Sequence, residues 1–402
     1  MGDRYIISPK EYLMMFFFLA VSGGEFFCMA YGRYFIPLFF LLAFWFHTNK
    51  YHRIRLFKGA RYIFIGLSYM IIHYYLIYPN HVKNTFLPSV IMLFGAYLYL
   101  SCYSMPRFKR LYLNTVYVMA FVSIIIWGLV MINVLSPALQ SYEDSGIYMF
   151  LFHNMGAGRI SSRLSGIYWE PGAYQVILNM TFLFYIDDFV NKQIDRSDWK
   201  KFGVILVAVL LTISTVAYLF LALLVAYWSF IKLKGKFTLT RLFAVGILSV
   251  VAVIGIYNST AVQGKLQERE QGYESSSYTI RANDNLALLM MISEKPILGW
   301  GRDSQEYVKV GEQLGSISFS NGILSMIACL GFPFFFIWLF FLYGGVKRLY
   351  PYRNAIILTL FIIFQNSFED FWWLPVTYSF FFLNADIPVA RSMKNVVVVK
   401  DN

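Results

Sequence analysis

Residues 202–231 read FGVILVAVLLTISTVAYLFLALLVAYWSFI and carry no charge. A helix needs about 20 apolar residues to cross the hydrocarbon of a bilayer, so this run is one long tilted span or two short ones. Its flanks decide between them. Lys192, Arg196, Lys200 and Lys201 precede it, and Lys232, Lys234, Lys236 and Arg241 follow it. Basic flanks mark the cytoplasmic ends of membrane helices, so both ends lie on one side and the chain crosses twice. The run therefore predicts a helical hairpin that turns near Ser214-Thr215. A turn at that depth survives only where it lines a polar cavity instead of lipid, because its freed backbone groups need partners.

The composition agrees with a polytopic membrane protein. Of 402 residues 58% are hydrophobic, 20% aromatic and only 14% charged. About a quarter would be charged in a soluble domain. The net charge of +12 would suggest a nucleic-acid partner in a soluble protein; here it collects in short loops, and no nucleic acid is expected. Cys28, Cys102 and Cys329 sit in apolar runs with neither metal nor disulfide spacing, so they are read as small buried hydrophobes. The hydrophobic stretch that opens near Tyr12 carries Glu25 and has no small-residue cleavage site, so it is read as the first span.

Working outward, spans are expected near 12–31, 34–49, 62–79, 86–104, 112–135, 173–190, 202–214, 216–231, 242–258, 321–343, 354–370 and 374–390. Basic loops at 50–61, 106–110, 192–201, 232–241 and 347–353 lie inside with both termini. The expectation is one all-α integral membrane domain over 1–402, with about 12 transmembrane helices. Two sizeable outer loops span about 136–172 and 259–320, the second with an apolar stretch at 285–292 that reads as an amphipathic interfacial helix.

Charges at the edges of spans are costly and usually functional. The topology sends Glu25, Arg33, Arg159, Arg163, Glu170, Arg269, Arg281, Arg302, Glu369 and Asp370 to the outer face. Glu25 and Arg33 are a candidate ion pair, and Glu369 and Asp370 candidate caps. Arg163 and Arg281 differ, because each begins a patterned stretch: RLSGIYWEPGAYQ at 163–175 and RANDNLALLMMISEKPILGWGRDSQEY at 281–307. A third, SFSNGILSMIACLGF, follows at 318–332. An arginine beside a span suits a diphosphate at the lipid–water boundary, since guanidinium binds phosphate oxygens with two parallel hydrogen bonds and keeps its charge. Two of them could neutralise a diphosphate leaving group without a metal. Glu170 is the best-placed carboxylate for a general base in the first loop. Tyr168 and Trp169 are candidates for stacking on sugar faces or for anchoring at the interface.

Taken in order, Arg163-x-x-Gly166 with an aromatic and Glu170-Pro171, then Arg281 and Pro296-x-x-Gly299-x-Gly301, then Ser320-Asn321 with Gly331 beyond, resemble the superfamily of O-antigen polymerases and O-antigen ligases. The resemblance covers about 140–345 by motif and the whole chain by topology. It implies a GT-C-like helical fold and a glycosyltransferase that uses undecaprenyl-diphosphate-linked oligosaccharides at the outer face of the bacterial inner membrane. It implies no cofactor, contact with membrane lipids, and a chain-length regulator and a flippase as candidate partners. By carry-over Arg163 and Arg281 bind the donor diphosphate, with Arg159, Arg302, Ser320 and Asn321 as further substrate-binding candidates. Ligases typically place a histidine before the asparagine, where this chain has Ser320. That departure and Glu170 favour the Wzy-type polymerase. The ligase is the nearest alternative, and a transporter or flippase is the rival from another class. Polar residues gathered at one face, with no matching halves, count against transport.

Overall fold

The computed structural model describes residues 7–52, 59–77, 86–134, 149–150, 153–154, 163–191, 193–232, 277–301, 305–313 and 320–384. The expected span 242–258 and Arg159, Arg269 and Arg302 lie outside the described residues.

The described chain is almost entirely helical. In order come α1 (Pro9–Ala20), a π-helical turn (Glu25–Ala30), α2 (Gly32–Tyr51), α3 (Ala60–Ile77), α4 (Phe86–Leu100) and α5 (Met105–Met131). After the two-residue antiparallel strands β1 (Met149–Phe150) and β2 (His153–Asn154) follow α6 (Pro171–Phe184), α7 (Ile186–Asn191), α8 (Arg196–Leu211) and α9 (Thr215–Lys232). Then come α10 (Ser277–Glu294), α11 (Gln305–Gln313), α12 (Gly322–Leu349), α13 (Tyr352–Asn366) and α14 (Ser379–Phe382). Among the described residues, α5 and α12 are long and apolar enough to cross a membrane, and 87–100, 215–228 and 354–366 are shorter apolar helices. The outward faces carry many exposed apolar side chains, among them Phe64, Leu87, Val118, Phe340 and Leu360. Apolar surface on that scale needs an apolar covering.

The run at 202–231 does break. Helix α8 is capped at Thr212, Ile213 takes φ +49°, and α9 starts at Thr215 with the Ser214 hydroxyl accepting from the Ala217 amide. Two carbonyls freed at this tip find partners in the first patterned loop: the Leu164 amide donates to Leu211 O at 2.9 Å and Arg163 Nε to Thr212 O at 2.9 Å.

Helix α6 is the axis of the bundle, with every residue from Pro171 to Phe184 buried. Gln175 and Asn179 on it form an internal ladder, Asn179 donating to Gln175 and Gln175 to Gln365 of α13. Such amide bridges are a standard way for membrane helices to hold together where apolar burial offers no preference over lipid.

Two expectations need correction. The segment 374–390 is not a twelfth spanning helix over its described part. After α13 the backbone turns irregularly through 367–378, and only the four residues of α14 are helical. Irregular backbone is tolerated at depth when protein covers it, and here Phe371, Leu374, Val376 and Phe380–Leu383 are all buried. Several of its backbone groups are taken up internally, the Val376 amide by the Ser22 hydroxyl and the Phe381 and Leu383 carbonyls by Arg348. Second, Glu25 and Arg33 do not pair: the Arg33 guanidinium lies over the Tyr34 ring, 4.8 Å from its centroid.

Helix α12 is two helical stretches joined across a kink at Gly331, where φ is +78° and ψ 169°. The turn Pro296–Gly301 fills the break. Phe332 N donates to Pro296 O at 2.9 Å, Trp300 N to Ala328 O at 2.8 Å and Gly301 N to Cys329 O at 2.8 Å. Tyr69 adds its hydroxyl to Leu330 O at 2.7 Å. The Pro-x-x-Gly-x-Gly spacing and the distant Gly331 are thus two halves of one joint. A Cβ at Gly331 would collide with Ile297 O. Gly331→Ala is expected to cost about 2–4 kcal/mol from the left-handed backbone and the overlap together. Gly344→Ala, in the same helix with nothing within 4 Å of the added carbon, should be neutral or slightly stabilising. Thermal unfolding of the two variants in detergent checks the contrast, and equal melting temperatures would refute the joint.

Candidate active site

The loop 163–170 is shaped by two requirements. Gly166 has φ +58°, and a Cβ there would press on the Tyr174 ring. The loop then runs beside the end of α1, with Glu25 N donating to Ile167 O at 2.8 Å. Trp169 lies tilted on Phe371 with centroids 5.3 Å apart and donates Nε1–H to Glu170 Oε1 at 3.3 Å. Tyr168 is not available to a sugar: it is fully buried, stacked on Tyr174, and its hydroxyl donates to Leu19 O at 3.2 Å. Aromatic character alone could not separate a stacking platform from a core ring.

Glu170 caps the N-terminus of α6 by position, with extended backbone, and is half-buried. Pro171 supplies the pre-set first helical φ. Gly172 follows for a steric reason: a Cβ there would collide with Glu369 Oε1 and sit 3.4 Å from Glu170 Oε1. The two carboxylates therefore flank Gly172. Gly322 makes the matching allowance on the other side, where a Cβ would meet the Glu369 and Asn366 carbonyls at 2.7 and 2.8 Å.

Glu369, expected as a cap, instead faces Arg281 and Glu170. It is 4% exposed, sits in the turn after α13, and its Oε1 is 3.6 Å from the Arg281 guanidinium. Oε1 has no hydrogen-bond partner among the described residues. Burial pushes the Glu369 carboxyl well above the usual range, and the charge of Glu170 raises it further, with Arg281 and Arg163 opposing. Arg163 feels the same surroundings from the other side: burial lowers its guanidinium, Glu170 and Glu369 favour its charged form, and Arg281 disfavours it. Two arginines and two carboxylates from three separate segments, at 163–170, 281 and 369, thus share one electrostatic site. The second signal available in sequence was the Glu-Asp pair at the end of an apolar run; its partner was not legible there.

Helix α10 delivers Arg281 and is tied to the start of α12. Buried Asp284 accepts the Ser320 amide at 3.2 Å, and Asn285 Oδ1 accepts Asn321 Nδ2 at 3.1 Å. Asn321 caps α12 by accepting the Leu324 amide at 3.1 Å. Asn321 thus spends its amide on the joint between α10 and α12, and Ser320 stands half-buried beside it. The expected apolar stretch of α10 buries Ala287, Leu288, Met291 and Ile292 but leaves Leu286, Leu289 and Met290 exposed. It packs on α12 with one apolar face and presents another outward.

The site lies at one end of the bundle. Helix α8 ends at the Thr212–Arg163 contact and carries Asp198 in its first turn, where it pairs with Arg110 and, at 3.0 Å, with Lys201. Sixteen residues of α-helix put about 24 Å between the two ends. The opposite end holds Arg107–Glu11 at 2.9 Å and Lys109–Asp188 at 2.5 Å. Chemically, the site can hold an anion between two guanidiniums while a carboxylate stands beside it to take a proton.

Residues 202–339 match the protein family Wzy_C, described as O-Antigen ligase. The matched segment, about a third of the chain, holds Arg281, the 296–301 turn, Ser320-Asn321 and Gly331 and stops short of Arg163, Glu170 and Glu369. It supports the O-antigen polymerase/ligase superfamily and, with the apolar helices, a membrane protein that handles lipid-linked glycans. No curated protein and no solved structure matches the chain.

Proposed function

We propose that this chain is a polysaccharide polymerase of the Wzy type. It joins undecaprenyl-diphosphate-linked oligosaccharide repeats at the outer face of the bacterial inner membrane, building O-antigen or a capsular or exported polysaccharide. The observation that carries the reading is the gathering of Arg163 and Arg281 around the Glu170–Glu369 carboxylates at one end of an apolar bundle.

In the reaction, a hydroxyl on the terminal sugar of one lipid-linked repeat attacks the anomeric carbon of the growing chain. The bond from that carbon to the diphosphate oxygen breaks, and the lipid diphosphate leaves with the electron pair. Glu170 accepts the hydroxyl proton. Arg163 and Arg281 stabilise the charge that develops on the departing diphosphate. Arg163 Nε is held by Thr212 O, so phosphate recognition falls to its terminal nitrogens. Glu369, beside Arg281, keeps the guanidiniums in place before the donor arrives.

The description of the matching family favours a second reading, a ligase that passes the same donor glycan to a lipid A core or a protein. Ser320, at the position where the ligases place a histidine, favours the polymerase. Purified protein in vesicles, supplied with lipid-linked repeats and no other acceptor, is expected to make a ladder of products. A product set that never exceeds one repeat, with transfer restored by adding lipid A core, would replace the polymerase with the ligase.

A further inference from the structure

At the end of the bundle remote from the carboxylate site lies a cavity of about 340 Å³ between α1, α2 and α5. Lys10, Glu11, Trp45, Asn49, Lys50 and Arg107 are among its walls. One of its three cations is already spoken for: Arg107 gives Nε and a terminal nitrogen to the two oxygens of Glu11 at 3.0 and 2.9 Å. Glu11 also closes a capping box with Ser8. The acidic wall is therefore neutralised, and Lys10 and Lys50 leave the cavity positive. Lys50 Nζ donates one proton to Cys102 O, and Lys10 Nζ stands 5.7 Å from the centre of the exposed Trp45 ring.

An apolar track leads away from this cavity. Tyr34, Leu38, Leu41 and Trp45 are 59%, 39%, 60% and 46% exposed. Their spacing of four, three and four puts them on one face of α2. From Tyr34 to Trp45 the helix rises about 16 Å, close to half of the ~30 Å hydrocarbon thickness. The length is that of one leaflet, and the cavity sits where that leaflet's headgroups would lie.

We propose that this cavity binds the phosphate of an anionic phospholipid, with Lys10 and Lys50 on the phosphate oxygens and the acyl chains along the Tyr34–Trp45 face. Basic pockets between membrane helices recognise anionic headgroups in this way. The apolar track selects a lipid phosphate over a soluble one. The assignment is independent of the reaction at the other end.

Native mass spectrometry of the full-length protein in nonionic detergent tests it, with phosphatidylglycerol and phosphatidylcholine of identical chains added in parallel, and inorganic phosphate alone in a third arm. One phosphatidylglycerol should be retained in preference to phosphatidylcholine. The double variant Lys10→Gln/Lys50→Gln should weaken that retention about 30-fold, the order expected for two basic side chains. Lys200→Gln, an exposed lysine at the same end but outside the cavity, should leave it unchanged. If the double variant does not fold, Lys10→Gln alone should cost about fivefold. Equal retention of the two lipids, or full retention by a folded variant, overturns the proposal. So does binding of inorganic phosphate without retention of phosphatidylglycerol.

Discussion

Arg163→Lys is expected to slow polymerisation of lipid-linked repeats by about 10²–10³-fold, the usual effect of losing one preorganised donor to a developing anion. The substitution keeps the charge and removes the fork. In the native protein Nε is bound to the Thr212 carbonyl at 2.9 Å, which fixes the plane of the guanidinium and hence the direction of its terminal nitrogens. A lysine ammonium is one point on a flexible stem: it can reach the carbonyl or the phosphate, but it cannot hold one while presenting two parallel donors to the other. The loss should fall on kcat more than on the donor KM, because the charge to be stabilised is largest as the diphosphate departs. Arg33→Lys makes the same chemical change on an exposed arginine that lies over Tyr34 and should leave the rate unaltered. An Arg163→Lys enzyme with wild-type turnover would remove Arg163 from the diphosphate site.

The second large effect concerns the two carboxylates. Glu170→Gln should lower kcat by about 10³-fold, within the range for loss of a general base, with little change in donor KM. Glu369→Gln should keep kcat within about tenfold of wild type, since a group away from the reacting proton gives up far less than a general base. It should lower the donor KM, because a competing negative charge beside Arg281 has gone. The reverse pattern would transfer the role of base to Glu369. Stability separates the pair independently. The folded Glu369 carboxyl is raised, first by burial and then by Glu170, so the unfolded chain ionises first as pH rises through the ordinary carboxylate range. The folded state therefore loses stability across that window and does not regain it above. Glutamine cannot ionise. Glu369→Gln should melt higher than the native protein at neutral pH, with the difference closing as pH falls toward about 4. A variant that melts lower at neutral pH and equally at pH 4 would mean that the Arg281 ion pair outweighs burial.

Several features were legible from local signals alone. Charge counting around 202–231 called for a turn near Ser214, and the backbone breaks at 212–214. Hydropathy and loop charge located Arg163 and Arg281 beside apolar helices. The glycine and proline spacings at 166–172 and 296–301 marked places where the chain must turn or approach another backbone closely. Other readings failed for reasons equally physical. A run rich in phenylalanine and tryptophan at 371–383 has the hydropathy of a span, yet it is an irregular segment wrapped in protein. Hydropathy measures a preference to leave water; it does not say whether lipid or protein takes water's place.

Sequence by itself determined that this chain is a helical membrane protein with basic loops, a hairpin at 202–231 and two arginine-bearing segments, because periodicity, hydropathy and flanking charge are properties of neighbours along the chain. Tertiary structure decided that Glu369 faces Arg281 and Glu170, that the 296–301 turn closes the break at Gly331, and that Tyr168 is core. Each of those depends on which distant backbone or side chain supplies the partner that a buried polar group must have, and no local pattern encodes that choice.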